Sequence, residues 1–259
     1  MDSTVEQALS TELRSFQNLW HGGYFEGDPL HPLAGSTYAQ LGFMSALHAT
    51  YLRCIKPYVT PATVALELGP GRGAWTRCLL PARRIFALDA LSAQHNGIFE
   101  FLGHPANLDY FQVSDFECNM LPQGQIDFMF SFGCLCHVSF DGITRYAERI
   151  YPKLRSGSNC FWMICDAGKY NSAYAQFDIW DAVARLVPVE ARPVVAKLKE
   201  MSSTVHRIPP GQTEPLAPGQ FYVAGVDRTC KMLQSFGYEI IDPDVGTNLR
   251  DPIIHFRRP

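Results

Sequence analysis

The sequence lacks the features that mark several large classes of protein. Its 22 lysines and arginines are outnumbered by 25 aspartates and glutamates, so it has no basic excess of the kind that nucleic-acid-binding surfaces need. No apolar run approaches the length of a membrane span. The first residues, MDSTVEQALSTEL, are acidic and polar, unlike a secretory signal. We therefore expect a cytoplasmic protein with neither a nucleic-acid nor a membrane partner.

The cysteines also lack a recognisable pattern. None of the eight are spaced C-x-x-C, which gives no support to a zinc ribbon or a thioredoxin-like site. Several lie in apolar runs, such as FSFGCLCHV and NCFWMIC, where cysteine behaves as a small buried hydrophobic residue. Because disulfides are rare in proteins without a secretory signal, we expect reduced thiols.

What the sequence does contain is a regular alternation of strand and helix patterns. Apolar runs of strand length alternate with helical patterns from residue 64 to 165, and the rhythm returns near the C-terminus. The predicted strands are 64–68, 84–89, 108–113, 126–132, 159–165, 238–242 and 252–257. The predicted helices among them are 74–80, 92–102, 140–155 and 226–236. Since the strands are nearly all apolar and do not alternate with polar residues, we expect a doubly wound α/β sheet, mostly parallel and covered on both faces.

Two segments fall outside this rhythm. Residues 1–60 precede it and are expected to form an N-terminal cap or lid on the α/β domain, residues 61–259. An insertion, residues 167–222, contains predicted helices at 173–187 and 190–202 and then the proline-rich and glycine-rich stretch RIPPGQTEPLAPGQ. It is too long for an ordinary connection, so we expect a second lid over the site where a substrate binds.

The stretch VALELGPGRGAWT is typical of a loop that binds a ligand. Its three glycines follow the first strand, at the edge of the sheet where open α/β folds bind ligands, and glycine lets a ligand approach the backbone. GPGRGA matches the dinucleotide fingerprint G-x-G-x-x-A, with Asp89 as the ribose acid. Alternatively, Glu67 in front of the glycines favours a ligand with a cationic amino group. S-adenosylmethionine carries an ammonium and no phosphate.

Four motifs in order resemble those of class I S-adenosylmethionine-dependent methyltransferases of the small-molecule type. They are ELGPGRG, the acid ending the second strand, the SDFE turn after the third strand, and the fourth-strand motif IDFMFSFGCLCHV, which is similar to one lining the methionine end of the cofactor. The C-terminal CKMLQSFGYEIID…PIIHFR looks like the family's last helix and reversed hairpin. The resemblance covers residues 60 to 165 and 226 to 258, about half the chain.

This resemblance implies a Rossmann-like seven-stranded sheet with an antiparallel last strand, and S-adenosylmethionine as cofactor with S-adenosylhomocysteine as product. It implies that Asp89 binds the ribose hydroxyls, that Asp115 bonds the adenine amino group and that Phe116 stacks on the adenine ring. The implied cofactor-binding residues are Glu67, Gly69, Gly71, Gly73, Asp89, Ala90, Asp115, Phe116 and Ser131.

The methyl acceptor decides which catalytic groups are needed. A hydroxyl acceptor requires a positioned base, and His137, after the fourth strand, is the first candidate because histidine titrates near neutral pH. Asp166, after the fifth strand, is the second, as base or as metal ligand. Asp141, Asp178 and His206 are its conceivable companions. Because no compact cluster of ligands appears, we favour a reaction without a metal and leave a divalent metal as the alternative.

The remaining aromatic residues indicate a pocket for a small-molecule acceptor. They lie in the segment LWHGGYFEGDPLHPLAGSTYAQLGF and in the insertion, and our candidates are Tyr24, Tyr38, Tyr170 and His206. We expect O-methylation of a sugar or another hydroxylated metabolite. N-methylation of a small amine, an NAD-dependent oxidoreductase and a non-catalytic relative stay open as alternatives. The oligomeric state is also open, with a homodimer as one option.

Overall fold

The computed structural model describes residues 3–32, 45–176, 184–213 and 221–259. Seven strands within these residues form one sheet in the order β3-β2-β1-β4-β5-β7-β6, and only β7 runs antiparallel to its neighbours. The strands are Val64–Leu68 (β1), Arg84–Asp89 (β2), Leu108–Gln112 (β3), Ile126–Ser131 (β4), Leu154–Met163 (β5), Glu239–Asp242 (β6) and Ile253–Arg257 (β7). The predicted α/β sheet with an antiparallel last strand is confirmed.

The helices of the described residues surround this sheet. They are Ser3–Leu19 (α1), Ala46–Thr50 (α2), Thr76–Leu79 (α3), Ala93–Asn96 (α4), Ile98–Leu102 (α5), Phe140–Ile150 (α6), Ala167–Gln176 (α7), Arg192–His206 (α8) and Val226–Ser235 (α9). A π-helical turn, Tyr51–Ile55, continues α2. None of the described helices has both the length and the apolar character needed to cross a membrane.

Local signals explain where the predicted elements were wrong. The predicted helix 92–102 is two helices, because Gly97 adopts a left-handed conformation between them. The predicted helix 140–155 ends at Ile150, and after a short turn containing Pro152 the chain enters β5 at Leu154. Part of the predicted helix 173–187 lies outside the described residues.

The core occupies both faces of the sheet, as the apolar strands predicted. In β1, Leu66 and Leu68 point to the face covered by α1, α6 and α9. Ala65 points to the opposite face, which α2, α3, α5 and α7 cover. Because successive side chains of a strand alternate between faces, Glu67 shares the face of Ala65 and α3.

The N-terminal residues contact both a helix that covers the sheet and the edge formed by the carboxyl ends of the strands. In α1, Glu12 accepts hydrogen bonds from the Ser139 N–H (2.6 Å) and hydroxyl (2.7 Å), which fixes the helix beside α6. Residues 20–32, the covering segment, then cross the carboxyl ends of the strands. There the Arg72 N–H donates to the Tyr24 carbonyl (3.1 Å). The covering segment therefore packs directly on the glycine loop.

Candidate cofactor and acceptor site

The glycine loop is drawn tightly over the end of β1. Gly69 and Gly71 have φ angles of +71° and +51°, and a Cβ atom at Gly69 would lie 2.3 Å from Cys134 Cβ. At Gly71 a Cβ atom would lie 3.0 Å from the Tyr24 carbonyl oxygen. Both the backbone conformation and the close neighbours therefore demand glycine. The loop occupies the space between the end of β4 and the covering segment.

Asp89 turns from the end of β2 toward this loop. Its carboxylate accepts the Gly71 N–H (3.2 Å) on one oxygen and the Leu91 N–H (2.9 Å) on the other. Burial raises its pKa above the usual range, and these N–H donors act in the opposite direction. One oxygen thus faces the glycine loop and the other faces the residues after β2, and each can accept a further hydrogen bond from a hydroxyl. This position of Asp89 is compatible with a contact to the ribose hydroxyls. The contact itself stays a prediction.

Glu67 lies behind the loop. It is 1% exposed, and its carboxyl group accepts the Thr76 hydroxyl at 2.7 Å, which ties the start of α3 to β1. Burial raises its pKa to about 8, and the nearby Asp89 charge adds to that rise. This geometry gives Glu67 a place inside the protein rather than on the open side of the loop. Its predicted contact with a ligand's amino group has no direct support here.

We expect Glu67 to make the stability of the ligand-free protein fall as the pH rises. Its folded pKa, about 8, lies above the ordinary value of 4.5, so between these values the folded state keeps a proton that the unfolded state releases. Stability is thus lost as the pH rises through this window. Near pH 6, the free energy of unfolding of the wild type should fall by about 1 kcal/mol per pH unit more than that of Glu67→Gln. Urea titrations at several pH values measure this difference. Glu239→Gln, at an exposed carboxylate, is the control, and parallel pH curves for the wild type and Glu67→Gln would contradict the assignment.

The turn after β3 departs from its predicted role. Asp115 is exposed, and its carboxylate accepts the Glu117 N–H at 3.0 Å, which is turn chemistry. Phe116 is only 2% exposed, and its ring packs edge-on against Tyr146 at 4.8 Å. Stacking on an adenine ring would require Phe116 to leave the core, so the structure gives it a packing role instead. The predicted adenine contact of Asp115 stays a prediction.

The other predicted cofactor residues hold the edge of the sheet together. The Ser131 hydroxyl is buried and donates to the Leu68 carbonyl at 3.1 Å, which joins the ends of β4 and β1. The Ala90 carbonyl accepts from the Gln112 side chain at 3.2 Å. At Gly73, the third glycine of the loop, a Cβ atom would lie 3.0 Å from Ile98 Cγ1. These contacts fix the frame of the site.

His137 is held between aromatic rings from distant parts of the chain. It ends a 3₁₀ turn, Leu135–His137, directly after β4. The Trp20 ring meets it edge-on at 4.6 Å, and the Phe221 ring stacks on it at 5.1 Å. Tyr170 packs edge-on against Phe221 at 5.8 Å. The candidate base and one candidate substrate residue thus belong to one aromatic cluster, for which Trp20 and Phe221 were not predicted.

Asp166 lies between the N-termini of two helices. One oxygen of its carboxylate accepts the Lys169 N–H (2.9 Å), and the other accepts the Val226 N–H (3.2 Å). It therefore caps the first turn of both α7 and α9. Both oxygens are engaged by backbone donors, and the predicted role of Asp166 as base or metal ligand stays a prediction. Within the part of the chain that the structure describes, no three His, Cys, Asp or Glu side chains converge as a metal site.

Tyr38, a predicted substrate residue, lies outside the described residues, as does Asp178, the predicted companion of Asp166. Of His206 only the backbone, at the end of α8, is described. Tyr24 is 57% exposed, and its ring edge lies 3.5 Å from where a Cβ atom at Gly133 would be. Tyr24 therefore covers the residues after β4, close to the candidate base.

Glu26 was not predicted as a site residue. The indole N–H of Trp75 donates to one carboxylate oxygen at 2.6 Å, and the Tyr24 hydroxyl makes a long contact of 3.5 Å with the other. That second oxygen lies 3.7 Å from where a Cβ atom at Gly133 would be. Burial raises the pKa of Glu26 above its usual range. The sequence signal was an acid directly after the aromatic pair Tyr24 and Phe25 in HGGYFEGD.

Comparison with known proteins confirms the fold predicted from the motifs. No protein-family model and no curated protein matches the sequence. The 1,6-didemethyltoxoflavin-N1-methyltransferase of Burkholderia thailandensis, solved with its substrate and S-adenosylhomocysteine, is similar over 100% of this chain and 91% of its own, with a TM-score of 0.55 and 14% identity. An S-adenosylmethionine-dependent methyltransferase of Mesorhizobium loti has a TM-score of 0.53 and 16% identity, over 83% of this chain and 98% of its own. The N-methyltransferase NodS of Bradyrhizobium japonicum, solved with S-adenosylhomocysteine, has a TM-score of 0.51 and 12% identity, over 98% of each chain.

The chain therefore has the fold of class I S-adenosylmethionine-dependent methyltransferases. The strand order, the reversed β7 and the glycine loop at the end of β1 are the features that define it here.

Proposed function

We propose that the protein transfers the methyl group of S-adenosylmethionine to a small-molecule acceptor. The observation that carries this proposal is the meeting of Gly69, Gly71 and Asp89 at the carboxyl edge of the sheet, in a fold whose solved neighbours include two with bound S-adenosylhomocysteine. S-adenosylmethionine supplies an electrophilic methyl group on its sulfonium. The protein's own residues bind and orient the reactants and exclude water.

Each of these tasks has a candidate in the structure. Asp89, which the Gly71 N–H fixes at the glycine loop, would hold the ribose hydroxyls. The covering segment, within the predicted cap of residues 1–60, would shield the reacting groups from solvent. Phe221 and Tyr170, from the predicted insertion 167–222, would form a second wall. This enclosure favours a small acceptor over a macromolecule.

We further propose that the acceptor atom is a hydroxyl oxygen of a sugar or another hydroxylated metabolite. Attack by a hydroxyl requires removal of its proton, and His137 lies after β4 with its ring fixed between Trp20 and Phe221. A ring held by two aromatic contacts loses little rotational freedom when the acceptor arrives, which favours its use as a base.

N-methylation of a small amine is the second candidate. The toxoflavin enzyme and NodS, whose folds match nearly the whole chain, are both named as N-methyltransferases. An amine that arrives unprotonated needs no base, so His137 would then only shape the pocket. An NAD-dependent oxidoreductase is less favoured, because the reversed β7 belongs to the methyltransferase arrangement of the sheet.

Incubation with methyl-labelled S-adenosylmethionine should show label transfer to members of a panel of sugars and other hydroxylated metabolites. A parallel panel of small amines tests the second candidate, and mass spectrometry with NMR identifies the methylated atom. In calorimetry we expect saturable binding of S-adenosylhomocysteine and none of NAD. Binding of NAD without S-adenosylhomocysteine would instead favour the oxidoreductase.

A further inference from the structure

The ammonium group at the methionine end of the cofactor needs a negatively charged partner. This inference rests on the proposed function. Glu67 was the predicted partner, but it lies behind the glycine loop, bonded to the Thr76 hydroxyl and 1% exposed. The partner of the ammonium group is therefore sought in another carboxylate, on the side of the glycine loop that faces the covering segment.

Glu26 has the right place for this role. It bridges the residues after the glycine loop, through Trp75, and the residues after β4, beside Gly133. These are the two parts of the fold between which the motif resemblance puts the methionine end. Glu26 belongs to the covering segment, which is also fixed to the loop by the Tyr24 carbonyl.

The hydrogen bonds of Glu26 do not use all of its capacity to accept. Its firm contact is the Trp75 N–H at 2.6 Å on one oxygen, and the contact of the Tyr24 hydroxyl with the other oxygen is long, at 3.5 Å. A carboxylate oxygen can accept more than one hydrogen bond, so the oxygen on the Gly133 side retains accepting capacity.

The electrostatics point the same way. Within the described residues, the hydrogen-bond partners of Glu26 are uncharged, and burial raises its pKa because the charged form loses water. The Arg250 charge opposes this rise, and the Asp251 charge adds to it. A cationic group with N–H donors beside the second oxygen would favour the carboxylate form and replace the lost hydration.

We propose that Glu26 binds the ammonium group of the cofactor's methionine part. Cofactor binding is thereby coupled to the position of the covering segment, because the ammonium group pairs with a residue of that segment. Glu67 supports the loop from behind and does not make this contact.

The test compares two ligands that differ in the methionine part. S-adenosylhomocysteine carries the ammonium, whereas 5′-methylthioadenosine lacks the whole amino-acid part and keeps the ribose and adenine. Glu26→Gln preserves an oxygen that can accept from Trp75 and removes the charge. By calorimetry, we expect Glu26→Gln to bind S-adenosylhomocysteine about tenfold more weakly and 5′-methylthioadenosine as the wild type does.

Asp28→Asn is the matched control. It removes a charge from the same covering segment, where Asp28 pairs with Arg77 at 2.9 Å, and should leave the affinities for both ligands unchanged. Glu26→Asp, which keeps the charge, should recover part of the lost affinity for S-adenosylhomocysteine.

Three results would overturn the proposal. Equal weakening of both ligands would mean that Glu26 only holds the covering segment in place. Unchanged affinity for both would mean that it does not contact the cofactor, and an effect confined to the KM of the acceptor would assign it to the acceptor. If the wild type does not bind S-adenosylhomocysteine at all, the proposed function fails as well, which separates the two failures.

Discussion

Replacing His137 with phenylalanine is expected to lower kcat roughly a hundredfold or more, with the affinity for S-adenosylhomocysteine largely kept. Phenylalanine preserves a flat ring between Trp20 and Phe221 but has no nitrogen to accept a proton. The loss should therefore report the base and not the packing. The measurement is single-turnover transfer of labelled methyl to a hydroxylated acceptor, with calorimetry of S-adenosylhomocysteine on the same preparation.

Two further variants separate chemistry from packing at this position. His137→Ala removes both the nitrogen atoms and the ring, so under the base hypothesis it should be as slow as His137→Phe or slower. Phe221→Leu keeps the histidine and removes the stacked ring, so it should raise KM more than it lowers kcat. Normal turnover of His137→Phe would show that His137 only shapes the pocket, which is the expectation for an amine acceptor.

Replacing Asp89 with asparagine is expected to weaken S-adenosylhomocysteine and 5′-methylthioadenosine alike, by about a hundredfold. Both ligands carry the ribose, and each hydrogen bond to a charged group contributes about 1.5–3 kcal/mol, so the loss of two of them reaches that factor. Asparagine has one acceptor oxygen, which the Gly71 and Leu91 N–H groups would then share with the ribose. Calorimetry with both ligands is the measurement.

The control for Asp89 is Asp109→Asn. Asp109 lies on β3 and pairs with Arg84 at 2.6 Å on the surface, so its loss should not change either affinity. Asp89→Asn and Glu26→Gln should differ in a diagnostic way, because only the former is expected to weaken 5′-methylthioadenosine. An Asp89→Asn protein with wild-type affinity for both ligands would contradict the ribose contact.

The sequence predicted the sheet well because its signals are local and strong. The bounds of β1 and β2 agree with the predicted strands to the residue, since each is a mainly apolar run that ends at or next to a polar residue or a glycine. Helices were less well predicted. The region 140–155 was read as one helix, because helical spacing continues across residues that in fact turn and enter β5.

The site was predicted less completely than the fold. Motif order gave the glycine loop and Asp89 at one edge of the sheet, but not the direction in which each side chain points. Asp166 was read as a base from its place after β5, and the structure makes it the cap of two helices. Phe116 was read as an adenine platform, and its ring is part of the core.

The sequence by itself therefore determined the fold class, the position of the glycine loop and the acid at the end of β2. These depend on short-range patterns, in which hydrophobic period and glycine placement act within a few residues. Only the tertiary structure decided which distant residues share the site. Trp20 and Phe221, from opposite ends of the chain, meet at His137. Glu26 lies close to Trp75 and Gly133 because the N-terminal residues cross the carboxyl edge of the sheet. Contacts between residues so far apart leave no periodic signal in the sequence, since they are fixed by packing and burial in the folded chain.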